Sequence, residues 1–300
     1  MNKYQVHPET EPALFGNVLL ATDPRTNSKV AIKRVPVDSA DNNSPITMER
    51  RVNKHVMKLG GHANIVPLRD SFQEDGYDHL VIDYSVKGTL FDVLKATPEK
   101  RFSNRESIEY FNQIVEGVAF IRKLGYAHCD LSLETVLVTN NNTCQLTEFG
   151  LASDASHKKY NPVGKYFYMA PEMYENRGYD PAVADIWSLG ILLFIMLTGV
   201  APFRQARVLD DQFELFKQRG LEALCDQLGV VDLIPNDAFE LLDAMLKINP
   251  NSRITIKDIV AACDRPEMVV VPRRKNSFFN KVFDPIKAPF RHNKQQRSTF

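Results

Sequence analysis

The chain has 300 residues, 44% of them hydrophobic, enough for two lobes or one large domain with an ample core. Its 37 basic and 37 acidic residues cancel, so no global charge points to nucleic acid. The balance is uneven, however: residues 265–300 carry 9 Lys/Arg against 2 Asp/Glu, leaving the body with 28 against 35. Cys129, Cys144, Cys225 and Cys263 show no C-x-x-C spacing, which is expected of reduced thiols in a cytoplasmic protein. Met1 to Thr10 has no signal-peptide pattern. The longest apolar run, Ile191 to Leu197, is too short to cross a bilayer.

Residues 10–35 are expected to form a strand pair around Asp23-Pro24-Arg25-Thr26-Asn27, a stretch dense in turn formers. The second strand, Val30-Ala31-Ile32-Lys33, ends in a lysine. A polar connector leads to a helical pattern with Met48, Val52, Val56 and Leu59 on one face, stopped by Gly60-Gly61. Glu49 is its only acid. Ile65 to Phe72 and His79 to Tyr84 read as strands joined by Glu74-Asp75-Gly76. A helix starts near Gly88-Thr89. The next runs from about Ser103 to Leu124, with Ile108, Phe111, Val115 and Val118 as its buried stripe. An all-apolar helix follows Asp185, and residues 206–263 read as further helices.

Three short motifs carry chemistry: His128-Cys129-Asp130-Leu131-Ser132-Leu133-Glu134-Thr135, then Glu148-Phe149-Gly150, then Ala170-Pro171-Glu172. Each is weak alone. In this order and spacing they resemble the protein kinase core, H-R-D-L-x-x-x-N, D-F-G and A-P-E. The resemblance covers about residues 10–263. It implies an α+β, two-lobe protein kinase fold, with a small β-rich N-lobe over about 10–82 that contains one main helix. A larger, mostly helical C-lobe would span about 86–263. Residues 1–9 would be an extension and 264–300 a tail. It also implies an ion pair between Glu172 and Arg253, and an Asp185 that braces the catalytic loop.

The same resemblance assigns roles. Lys33 would hold nucleotide phosphates and Glu49 would hold Lys33. Counting back from His62-Ala63-Asn64-Ile65-Val66 puts Glu49 about a turn early, which an added turn at the helix C-terminus would repair. Gly16, Val18 and Ala31 would line the nucleotide site. Gly16 is the last of three expected glycines, and Glu11 and Ala13 stand at the other two positions. Ile82 would gate the adenine pocket, and the backbone from Asp83 to Ser85 would bond the adenine edge. Asp130 would orient the attacking hydroxyl and accept its proton, while His128 would be structural. Cys129 stands in place of an arginine, which argues against activation by phosphate through that pocket.

Ser132 replaces a lysine that would touch the transferred phosphate. Lys165 occupies a usual threonine position and is expected to supply the missing charge. Thr135 and Glu148 stand at the two metal-ligand positions, normally Asn and Asp. Mg²⁺ demands near-octahedral oxygens at about 2.1 Å. One added methylene and one short neutral hydroxyl would therefore weaken metal handling or favour Mn²⁺. The implied function is serine/threonine kinase-type transfer from ATP to a protein hydroxyl. The alternatives are a pseudokinase that acts as a scaffold or allosteric partner, and a small-molecule phosphotransferase on the same fold.

The tail alternates basic and aromatic residues: Arg273-Arg274-Lys275, then Phe278, Phe279, Phe283 and Phe290. Three readings stand: a loosely docked extension, a segment for anionic membrane or a protein partner, and a phosphorylation site at Ser277 downstream of Arg273 and Arg274.

Overall fold

The computed structural model describes residues 3–12, 16–37, 44–175 and 177–264. The tail readings and Ala13 lie outside the described residues, as does the side chain of Glu11. Strands β1 (Gln5–Pro12), β2 (Asn17–Asp23), β3 (Ser28–Pro36), β4 (Leu68–Glu74) and β5 (Tyr77–Asp83) form one antiparallel sheet in the order β1-β2-β3-β5-β4. Leu19, Ala21, Val30, Ile32 and Val81 alternate inward and pack with Tyr4 and Phe72. The β2–β3 turn is closed by Asp23, which accepts the Arg25 backbone N–H at 3.0 Å, with Asn27 at φ 54°.

A boundary at residue 10 cuts through β1, whose Gln5 pairs with Thr22. Its sequence has no apolar alternation and two prolines, features an edge strand tolerates and a pattern search passes over. β4 likewise begins at Leu68. Ile65 instead bridges Leu146 of the larger lobe, so it joins the lobes rather than the sheet.

Helix α1 (Pro45–Lys58) packs beside the sheet, and the hinge after β5 leads to α2 (Leu90–Ala96) and α3 (Asn104–Lys123). Both latter helices open with capping boxes, Thr89 with Asp92 and Ser103 with Glu106. Short strands β6 (Tyr126–Ala127), β7 (Val136–Val138), β8 (Cys144–Leu146) and β9 (Ser153–Asp154) frame the His128–Thr135 stretch. Helix α4 (Pro181–Thr198) is the centre of the lobe. By length and composition it could cross a membrane, but it is 89% buried in protein and serves as a core helix. Helices α5 (Asp211–Leu228), α6 (Asn236–Met245) and α7 (Ile256–Cys263) complete the lobe.

Glu172 and Arg253 meet in a bidentate pair at 2.5 and 2.6 Å, with the Arg253 side chain fully buried. The guanidinium also lies 5.1 Å over the Trp187 ring and donates to the carbonyls of Val183 and Lys247. A buried charge is tolerated only when its donors are used this fully. The pair ties the segment after Pro171 to the C-terminal helices.

Candidate active site

β3 carries Lys33 inward, and α1 brings Glu49 to it. The Lys33 Nζ lies 2.7 Å from Glu49 Oε2, although the count from His62 puts the acid a turn early. Helix α1 starts at Pro45, with proline in its first turn, and reaches Lys58, so the helix is long enough to set that register. The same ammonium lies 2.6 Å from Glu148 Oε2. Lys33 is therefore bridged by two carboxylates. Burial lowers its pKa, but Glu49 and Glu148 outweigh this, and the net shift is upward. Burial raises the Glu49 carboxyl against the pull of Lys33, and the Phe149 backbone N–H also bonds it.

Gly16 has φ +82°, and a Cβ there would stand 2.1 Å from the Arg34 carbonyl. The glycine is thus required by close approach of the turn to β3, whatever else it touches. Val18 pairs with Lys33 across β2–β3, and Ala31 sits between Leu20 and Ile82. Ile82 and Asp83 end β5. The Ser85 hydroxyl donates to the Val138 carbonyl at 2.5 Å, pinning the hinge to β7. Val18, Ala31 and Ile82 thus lie on three neighbouring strands of the sheet, β2, β3 and β5.

The catalytic stretch is held from below. The Asp185 carboxylate accepts the backbone N–H of His128 at 2.6 Å and of Cys129 at 2.9 Å. Burial pushes its carboxyl up to about 7, opposed by those two bonds. His128 is fully buried. Its Nε2–H donates to the Thr147 carbonyl at 3.0 Å, and its Nδ1 accepts the Asp130 N–H at 3.3 Å. Burial pulls it down to about 4, so it is neutral and structural. Cys129 takes φ 65°, and its Sγ lies 3.3 Å from the Ser153 hydroxyl. Burial pushes the thiol up to about 12, so it is no nucleophile at neutral pH.

Asp130 Oδ2 lies 3.1 Å from Lys165 Nζ, and the same ammonium lies 3.0 Å from Ser132 Oγ. Lys165 therefore fills the space beside Ser132, arriving from the opposite chain segment. Burial raises the Asp130 carboxyl, and the Lys165 charge opposes the shift. Asp130 Oδ1 is buried without a partner among the described residues. Two contributors escaped sequence reasoning. Gly164 (φ +94°) lets its segment approach, since a Cβ would stand 2.8 Å from the Cys129 carbonyl. The Tyr168 hydroxyl accepts the Leu133 N–H at 3.4 Å. The glycine was a visible signal, being adjacent to Lys165; the tyrosine had none.

The metal-ligand positions differ from expectation. Thr135 is buried, and its hydroxyl donates to the Asp130 carbonyl at 2.8 Å while accepting the Ser132 N–H at 3.1 Å. It braces the loop and does not present a free oxygen to a cation. Glu148 takes φ 63°, with one carboxylate oxygen on Lys33 and its side chain 25% exposed. Of the two positions, only the Glu148 carboxylate would be left to hold a divalent cation, whose other oxygens would have to come from phosphates and water. Among the described residues there is no cluster of three or more His, Cys, Asp or Glu to hold a metal without such help.

The protein kinase domain family model matches residues 14–262. Among curated proteins, the chain is 29% identical to CBL-interacting protein kinase 31 of Oryza sativa subsp. japonica over 265 residues, 87% of this chain and 57% of the relative. It is 30% identical to probable serine/threonine-protein kinase KCC4 of Saccharomyces cerevisiae over 258 residues, 82% of this chain and 24% of the relative. It is 28% identical to NUAK family SNF1-like kinase 1 of Homo sapiens over 260 residues, 86% of this chain and 38% of the relative. The chain thus spans only part of the length of these relatives. With the sheet, the helical lobe and the match over residues 14–262 taken together, the chain belongs to the protein kinase domain family.

Proposed function

We propose that this chain transfers the γ-phosphoryl group of ATP to a serine or threonine hydroxyl of a protein, with a cation held by Glu148 alone among its side chains. The observation that carries the reading is Asp130, whose Oδ1 is unpartnered while Oδ2 is held by Lys165. Oδ1 is buried beside Gly164, and movement of that segment would open the carboxylate to accept the proton of an attacking hydroxyl. Burial raises its basicity. Lys165, already beside Ser132, supplies positive charge where the phosphoryl group would pass. Lys33, held by Glu49, would meet the nucleotide phosphates once Glu148 turns from it. A bound Mg²⁺ or Mn²⁺ would neutralise phosphate charge. The serine/threonine-protein kinase name of the Saccharomyces cerevisiae relative supports the acceptor class.

One observation favours a second reading, a pseudokinase that engages partner proteins without chemistry. Thr135 is engaged with the loop backbone, and Glu148 is paired to Lys33. Phosphotransfer from labelled ATP to a generic basic protein separates the two, with Asp130→Asn purified in parallel. Activity in Mg²⁺ or Mn²⁺ that vanishes in the variant supports the enzyme. Equal signal, or silence in both, removes it and leaves the pseudokinase.

A further inference from the structure

A second cavity, of about 480 Å³, opens between α1, the end of α3 and the β6–β9 pair. Arg51 and His55 line it from α1, one helical turn apart, and Arg122 lines it from the last turn of α3. Tyr126 adds an aromatic wall, and Asp154 and Ser156 complete the polar lining. None of these residues belongs to the site around Asp130.

The donors of this lining outnumber its acceptors. Arg51 is exposed, and its side chain makes no hydrogen bond or ion pair among the described residues. Arg122 is half-buried and donates from Nη1 to the Ala155 carbonyl at 3.3 Å, with its remaining donors unused among the described residues. His55 Nδ1 lies 3.3 Å from the Tyr126 hydroxyl, and its Nε2 has no bond among the described residues. The one acid of the lining, Asp154, is already engaged. Its Oδ1 accepts the N–H and the hydroxyl of Ser156 at 2.8 and 2.6 Å, and its Oδ2 stands 3.4 Å from His157 Nδ1. This local excess of cations runs against the composition of residues 1–264, which carry 28 basic against 35 acidic residues.

We propose that this cavity is a second binding site, for a phosphate monoester held by Arg51, His55 and Arg122. Donors from two helices suit an anion with three free oxygens, whereas the two oxygens of a carboxylate are satisfied by a single guanidinium fork. The volume and the Tyr126 wall leave room for the group that carries the phosphate. Bound there, the anion joins α1, the helix that carries Glu49, to the end of α3. Its source is a free metabolite or a phosphorylated side chain, and the chemistry of recognition is the same for both. The site does not depend on the phosphotransfer reading above.

The test is calorimetric titration of the full chain with phenyl phosphate. Saturable binding is expected, weakened roughly 10- to 100-fold in Arg51→Ala and in Arg122→Ala, as for loss of charge-assisted hydrogen bonds. Arg51 is exposed, so its variant should melt with the parent protein. Arg51→Lys should recover only part of the affinity, since an ammonium lacks the planar fork. Benzoate should bind on the order of 10-fold more weakly than phenyl phosphate, and amide exchange over α1 should slow when phenyl phosphate is present. No saturable binding overturns the proposal. So does affinity unchanged in both arginine-to-alanine variants, or lost instead in Lys33→Met or in Arg273→Ala/Arg274→Ala/Lys275→Ala, because the anion then sits elsewhere. Benzoate as tight as phenyl phosphate overturns the phosphate class. A phosphoserine peptide that binds more tightly than phenyl phosphate, with the same arginine dependence, supports the site with a protein segment as the source. Equal affinity supports it with a free metabolite as the source.

Discussion

Lys165 Nζ lies 3.1 Å from Asp130 Oδ2, joining residues 35 positions apart in the chain. The same ammonium reaches Ser132 Oγ at 3.0 Å. Across these contacts the segment before Ala170 is tied to the catalytic loop without any phosphate. The arrangement exchanges a lysine and a hydroxyl between two facing positions while keeping one positive charge beside the carboxylate.

Approach of that segment depends on Gly164. Its φ of +94° suits glycine, and an added Cβ would press on the Cys129 carbonyl at 2.8 Å. Gly164→Ala is therefore expected to cost about 1–3 kcal/mol of stability and to displace Lys165. Denaturant unfolding measures the first effect. A drop in Asp130-dependent phosphotransfer larger than the stability loss accounts for measures the second.

Glu148 competes for Lys33. Its Oε2 stands 2.6 Å from the ammonium that nucleotide phosphates would otherwise meet. Glu148→Asp shortens the reach by one methylene and should tighten ATP binding several-fold, read as a larger nucleotide-dependent rise in melting temperature. With magnesium present the gain should grow. An unchanged shift with and without magnesium would show that the longer side chain costs the site nothing.

The Glu172–Arg253 pair should be the costliest single polar contact to break. Arg253→Met leaves the Glu172 carboxylate buried without its partner. Removing one member of a buried pair costs roughly 3–5 kcal/mol. Thermal melting of the variant checks the magnitude, and activity per folded molecule should survive at temperatures well below its midpoint.

His128 supplies a pH dependence whose sign follows from burial. Its folded pKa is about 4, below the ordinary 6.5. Between those values the unfolded chain binds a proton that the folded chain does not, so stability falls as pH drops through this window. Asp185 acts in the opposite sense: its carboxyl is raised to about 7, and its contribution is lost as pH rises through that value. His128→Gln should therefore reduce the loss of stability between pH 6.5 and 4, at the expense of about 1–3 kcal/mol at neutral pH for an imperfect buried hydrogen-bond set. Urea unfolding across that pH range reads both.

Much of this architecture was legible in the sequence. Periodicity located α3, and its buried residues include Ile108, Phe111, Val115 and Val118. The motif order identified the fold, and Lys165 was singled out by standing where a threonine is usual. The failures have physical causes. β1 lacks apolar alternation because it is an edge strand, so it escaped notice. Glu49 does meet Lys33, as the resemblance implies, and the count from His62 misleads only because it ignores the turn at Gly60 and Gly61, both at positive φ. Thr135 read as a metal ligand because residue type alone does not show where a hydroxyl points; its bond to the Asp130 carbonyl is a tertiary fact.

The assignment of Lys165 as the cation missing at Ser132 is tested most directly by a charge-position swap. Asp130-dependent phosphotransfer would be measured for Lys165→Met and for the double variant Ser132→Lys/Lys165→Thr. Removing one preorganised charge should cost on the order of 100-fold in rate, and moving the lysine to position 132 should restore most of it. Full activity in Lys165→Met would contradict the account.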